Sequence, residues 1–124
     1  MLTNSNISVD EPLVSEPIMK SLPALVESGA EVYLKKGDTL HSKFMVVDDS
    51  FVSVSSLNLH PRSLFYDTEV AVNVIDEDAA MKLRSTFEED LASELAKKIE
   101  KPQDLAVNSK WYNRFIERYF RDHL

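Results

Sequence analysis

The stretch LHSKFMVVDDSFVSVSSLNLHPRS, Leu40 to Ser63, decides how this chain is read. Its apolar runs predict two strands, SKFMVVDD and SFVSVSS, around a short turn at Asp49–Ser50. Residues two apart on a strand share a face, so His41 and Lys43 point the same way. Ser56 and Asn58 repeat that spacing at the far end of the return strand. A hairpin returns that end to His41, so one rim collects an imidazole, an ammonium, a hydroxyl and an amide. The set is either a row of solvated strand groups, or a nucleophile or acid beside three donors for phosphate oxygens.

Upstream, LTN at Leu2–Asn4 reads as a short strand, and Ile18, Leu22, Leu25 and Val26 repeat at helical spacing. Pro17 fits the start of that helix, Pro23 implies a kink or a later start, and Gly29 closes it. AEVYLKK is a further strand and KGD a turn. Downstream, HPRSLFY reads as a loop because Pro61 cannot donate to a ladder. DTEVAVNVID is the cleanest strand, with Val70, Val72 and Val74 alternating against Ala71 and Asn73. A helix is expected from Asp76 to about Lys98, acidic at its start and basic at its end, as the helix dipole prefers. Ala80, Leu83, Phe87, Leu91 and Leu95 would be its buried stripe. The order predicts an α/β fold, a mixed β-sheet flanked by helices.

A chain of 124 residues is about one domain, and its 44% hydrophobic content is ordinary for a globular protein. The absence of cysteine excludes disulfides, thiolate zinc sites and a cysteine nucleophile. Two glycines are too few for a glycine-rich nucleotide loop. A net charge of −7 argues against a nucleic-acid-coating surface, though not against a small anion site. No apolar run reaches the roughly 18–20 residues needed to cross a bilayer.

His41-x-Lys43-(x)4-Asp48-(x)6-Ser55-Ser56-x-Asn58 closely resembles the HKD motif of the phospholipase D superfamily. The family pattern is H-x-K-(x)4-D-(x)6-G-S-x-N, and the one departure is Ser55 where glycine is usual. LTNS before the motif, NLHPRSLFYDTEV after it and FEEDL beyond are similar to bacterial cardiolipin synthases, over about Leu2 to Leu91. The resemblance implies a partial phospholipase D-like domain, corresponding to the C-terminal HKD half of such a synthase. In that family two motifs form one site and catalysis passes through a phosphohistidine, with no metal and no cofactor. His41 would be the nucleophile or the general acid. Lys43, Ser56 and Asn58 would hold phosphate oxygens. Glu69 falls where a carboxylate orients the histidine, and Asp48 is a structural acceptor at the strand end. Arg62 and Ser63 are candidates for head-group contact, whereas His60 lies outside the pattern and reads as a loop residue.

The resemblance further implies an anionic phospholipid substrate and a location in the cytoplasm, peripheral to the inner membrane. With one motif, the chain is expected to be a fragment or a unit that pairs with a second motif. That motif would come from another chain, as in a homodimer, or from a missing N-terminal half; alone the chain should lack a complete site. A single-motif homodimeric phosphodiesterase or nuclease is an alternative function, as is a non-catalytic remnant or interaction domain. The expected division is a phospholipase D-like domain at 1–101 and an amphipathic helix at 102–124. Trp111, Tyr112, Phe115, Ile116, Tyr119 and Phe120 share one face of that helix beside Lys110, Arg114, Arg118 and Arg121. It would pack on its own domain or a partner, or lie in the head-group region of an anionic membrane.

Overall fold

The computed structural model of the protein describes residues 1–5, 8, 12–58 and 61–105, the side chains of 12–18 and 61–62 excepted. The strand β1 (Leu2–Asn4) leads to helix α1 (Pro12–Glu27) and back to a parallel strand β2 (Tyr33–Lys35), pairing Leu2 with Tyr33 and Asn4 with Lys35. α1 runs through both Pro17 and Pro23, so its start is Pro12, ahead of the expected position. A proline at the first helical position gives up an N–H that would have no partner there. The helix closes at Gly29 (φ 91°), where Gly29 N–H reaches Val26 O at 3.0 Å and Ala30 N–H reaches Leu25 O at 3.1 Å. This left-handed cap satisfies carbonyls that the helix end would otherwise orphan, and glycine adopts it without a Cβ clash.

The first core forms where α1 lies on this sheet. Leu22 and Val32 are 1% and 0% exposed, with Met19, Ile99 and Leu105 buried beside them and Val26 and Leu34 packed at the margin. Leu105 arrives on a 3₁₀ turn (Pro102–Leu105) that packs on α1, so residues 102–105 contribute to this core. The amphipathic pattern beyond it, from residue 106 to 124, lies outside the described residues.

Strands β3 (Phe44–Val47), β4 (Phe51–Ser55) and β5 (Ala71–Ile75) make a second, antiparallel sheet in the order β3-β4-β5. The β3–β4 turn places Asp48 and Asp49 at φ 49° and 56°, a left-handed conformation that aspartate tolerates better than branched residues. Arg84 on helix α3 (Glu77–Ala92) forms an ion pair with Asp49, tying the helix to the hairpin tip. Between β4 and β5 the chain makes a short helix α2 (Pro61–Phe65), not the loop expected from Pro61. Proline again opens a helix.

α3 starts as its sequence requires, with Asp76 accepting from Ala79 N–H at 2.7 Å and Glu77 and Asp78 in the first turn. It ends at Ala92, well short of Lys98, and Ser93 Oγ–H takes the Asp90 carbonyl at 2.7 Å. A third strand of the first sheet, β6 (Ala96–Lys98), follows and pairs antiparallel with β2. Lys97 and Lys98 therefore do not cap a helix: the second edge of β2 and the burial of Ile99 override helical propensity. Lys98 Nζ sits 2.5 Å from Glu31 Oε1 and 5.9 Å from the centre of the Tyr33 ring.

The expected α/β class holds, with the strands divided between two three-stranded sheets. The second sheet is only partly covered. Val52 (2% exposed) and Ala80 mark where α3 packs on β3 and β4. Met45, Val54, Val70, Val72 and Ile75 remain open, Val72 at 60% and Ile75 at 84%, although the register puts them on both faces. β5 is an edge strand exposed at every residue. Its even-numbered residues turn their backbone groups to β4, as in Ser56 N–H to Val70 O and Asp76 N–H to Ser50 O. Ala71, Asn73 and Ile75 therefore turn theirs to the open side.

The Lys98 hydrogen bond lowers the Glu31 pKa and raises that of Lys98. The carboxylate contribution is present at neutral pH and lost as pH falls through the depressed Glu31 pKa; the ammonium contribution is lost as pH rises through the raised Lys98 pKa. Glu31→Gln should therefore lower the Tm modestly at neutral pH, with the difference from wild type closing at both extremes. Thermal melts across pH check this.

Candidate functional site

Three strand ends build the rim. β3 begins just after Lys43, β4 ends at Ser55, and β5 begins just after Glu69 and Val70. The backbone ladders extend past the strands: Ser55 N–H donates to Lys43 O at 2.9 Å, and Ser56 N–H donates to Val70 O at 3.0 Å. The hairpin register thus brings the Lys43 end beside Ser55–Ser56, and β5 adds Glu69 on the other side.

His41 is exposed, on the segment that enters β3. Lys43 is half-buried and its Nζ donates to the His41 carbonyl at 2.8 Å, so ammonium and histidine are joined through backbone. Ser56 Oγ accepts from Val70 N–H at 3.0 Å and donates to Glu69 Oε2. The Glu69 carboxylate, expected behind the imidazole, is thus engaged by the serine hydroxyl. Asn58 is exposed on coil just past β4. In this arrangement Lys43 uses one of its three ammonium donors on the His41 carbonyl, and Ser56 gives its single hydroxyl donor to Glu69.

Asp48 occupies the first left-handed turn position, while the ion pair at the turn belongs to Asp49. Ser55 raises no backbone conflict, since Asp48 and Asp49 are the only non-glycine residues at positive φ among those described. Its Cβ sits on ordinary strand backbone. Ser63 is 5% exposed on α2. His60 and the Arg62 side chain lie outside the described residues.

One feature of the site has no counterpart in the motif. The side-chain amide of Asn4, at the end of β1, forms two hydrogen bonds with the backbone of Leu40, the residue before His41. LTNS marked this position only by resemblance; a single asparagine at a strand end carries no periodic signal of a partner 36 residues away.

Comparison with known proteins gives a family match over most of the chain. Residues 1–91 match the family described as cardiolipin synthase, PLD-like domain. The chain is 31% identical over 120 residues to cardiolipin synthase 1 of Staphylococcus epidermidis, an alignment of 89% of this chain and 24% of that protein. It is 37% identical over 90 residues to a cardiolipin synthase of Staphylococcus aureus, covering 71% of this chain and 18% of the relative. The chain thus spans about a quarter or less of the length of these curated relatives. Among solved structures, a phosphatidylserine synthase of Haemophilus influenzae shares the fold, with a TM-score of 0.57 at 20% identity over 89% of this chain and 27% of that one.

Ser56 is the hinge of the rim, since its hydroxyl joins β4 to both Glu69 and Val70. Ser56→Ala should cost about 1 kcal/mol or less of stability, the scale of a net hydrogen bond at an exposed site. Faster exchange of the Val70 amide, with the Val52 amide unchanged, is the expected signature.

Proposed function

Because the chain belongs to the family of cardiolipin synthase PLD-like domains, we propose that it supplies one histidine–lysine half of a phosphatidyl-transfer site. The observation that carries this reading is the rim itself, where the strand ends set His41, Lys43, Ser56 and Glu69 on one edge of the second sheet.

The reaction joins an anionic phospholipid donor to an alcohol in two displacements. A histidine nitrogen attacks phosphorus, the P–O bond to the leaving alcohol breaks, and that oxygen takes a proton from the second histidine. The acceptor hydroxyl then gives its proton to the same second histidine and attacks phosphorus, breaking the P–N bond. His41 fills one of these two roles. Lys43, Ser56 and Asn58 stabilise charge that accumulates on the non-bridging oxygens, the step in which preorganised donors matter most. A donor set of ammonium, hydroxyl and amide handles phosphate directly, so no metal or cofactor is assigned.

The second histidine comes from a further HKD half, on another chain as in a homodimer or elsewhere in a longer polypeptide. Support comes from the uncovered sheet: Val54 and Val72, paired across β4 and β5, lie exposed on one face as apolar surface that a partner would bury. No described helix is long and apolar enough to cross a membrane. We place the protein in the cytoplasm at the inner-membrane surface, reached through the aromatic and basic residues of 107–124. Trp and Tyr favour the interface, and each arginine near an anionic surface adds about 1 kcal/mol.

The test is transfer between phosphatidylglycerols by this chain combined with a first HKD half. His41→Ala should reduce turnover by several orders of magnitude, and a chelator should leave it unchanged. Turnover within tenfold of wild type after His41→Ala, or restoration by magnesium after chelation, contradicts the mechanism. Cleavage of DNA instead of lipid would favour the nuclease reading, and no turnover on either the remnant. Deleting residues 107–124 should weaken binding to phosphatidylglycerol vesicles, an effect that raised salt should partly mimic.

A further inference from the structure

His41 lies where the chain crosses from one sheet to the other, and its attachments on the two sides differ in kind. After the histidine, ordinary strand pairing takes over, with Ser55 N–H on Lys43 O at 2.9 Å. Before it, the chain is held by side chains. Lys35 Nζ donates to Asp38 O at 3.0 Å and Thr39 Oγ1 to Ser8 O at 2.6 Å. Asn4 then makes a reciprocal pair with Leu40: Nδ2 donates to Leu40 O at 2.8 Å, and Leu40 N–H donates to Oδ1 at 2.7 Å.

That pair imitates a strand ladder. A primary amide presents one donor and one acceptor on one plane, matching the N–H and C=O of a single residue, and the order of those groups fixes which way the amide faces. Aspartate lacks the donor when ionised, alanine lacks both groups, and glutamine is one methylene too long. Asn4 is itself held firmly, since it pairs with Lys35 across β1–β2 and the next residue donates Ser5 N–H to Lys35 O at 2.9 Å. Buried Ser5 and Ser8 close the same corner, with Ser8 Oγ donating to Lys35 O at 2.6 Å. The first sheet, with its packed core, thus reaches through Asn4 to the residue next to the histidine.

We propose that Asn4 is a positioning residue for His41, setting the height of the imidazole on the rim by clamping Leu40. The proposal rests on the reading of His41 as a reacting group. Misplacing such a group by about 1 Å can cost on the order of a hundredfold in rate without touching substrate affinity.

The test uses the full chain, alone for amide exchange and combined with a first HKD half for turnover. Asn4→Ala should raise Leu40 amide exchange at least tenfold, leave the Val52 amide unchanged, and lower kcat about ten- to a hundredfold with KM nearly constant. Asn4→Asp supplies a readout that a general loss of packing would not give. Its carboxylate can accept from Leu40 N–H but cannot donate to Leu40 O. Relative to wild type, both Leu40 protection and kcat should therefore recover as pH falls through the pKa of the new carboxyl group. If Asn4→Ala fails to fold, the pH series on Asn4→Asp decides alone. Wild-type kcat in Asn4→Ala, or faster Leu40 exchange with kcat unchanged, overturns the proposal while an inactive His41→Ala leaves the proposed function standing. Persistent turnover in His41→Ala overturns both.

Discussion

The burial of Leu22 and Val32 between α1 and the β1-β2-β6 sheet is the constraint on which the rest depends. Two fully buried side chains and their few neighbours make a small core, and the rim lies outside it. Each apolar side chain taken fully out of water contributes about 1.5–3 kcal/mol, so this cluster gains more from packing than the smaller contact of Val52 and Ala80 under α3. The second sheet is joined to this cluster through α3, which touches β3, β4 and β6, and through the segment that carries His41. The segment that carries His41 is held by backbone and amide hydrogen bonds rather than by a continuous apolar interior.

What could be read in advance follows from where the signal lives. The hairpin was legible because Phe44 to Val47 and Phe51 to Ser55 are apolar runs of strand length around a polar turn. The end of α1 was legible because Gly29 occupies a backbone conformation that glycine favours. The end of α3 was not. Ser93-Glu94-Leu95 carries no strong stop, and what converts Ala96–Lys98 to a strand is the vacant edge of β2, far away in sequence. Pro61 misled for a related reason: proline forbids a ladder but also opens a helix, and only the surroundings choose.

The rim shows the same division. The hairpin that brings the Lys43 end beside Ser55 was legible from the two apolar runs and the polar turn between them. The rim's internal wiring was not. That Lys43 turns to the His41 carbonyl and Ser56 to Glu69 depends on which acceptors stand nearest once the backbone has closed, and spacing carries no such information. Asn4 lay furthest from reach because its partner belongs to a segment that is neither helix nor strand.

β5 carries one more consequence. Val70 to Ile75 is a run of six residues without a charge or a proline, with a free row of backbone groups along one side. Such an edge is a template for strand addition by any extended peptide, including another molecule of the same kind. Its protection lies at the two ends, where Asp67 and Glu69 precede the run and Asp76, Glu77 and Asp78 follow it. Together with a net charge of −7, these flanks act as gatekeepers that make like strands repel before they can register. The colloidal behaviour of the chain is therefore tied to ionic strength and acidity: salt screens the flanks, acid neutralises them, and either exposes the same edge to aggregation.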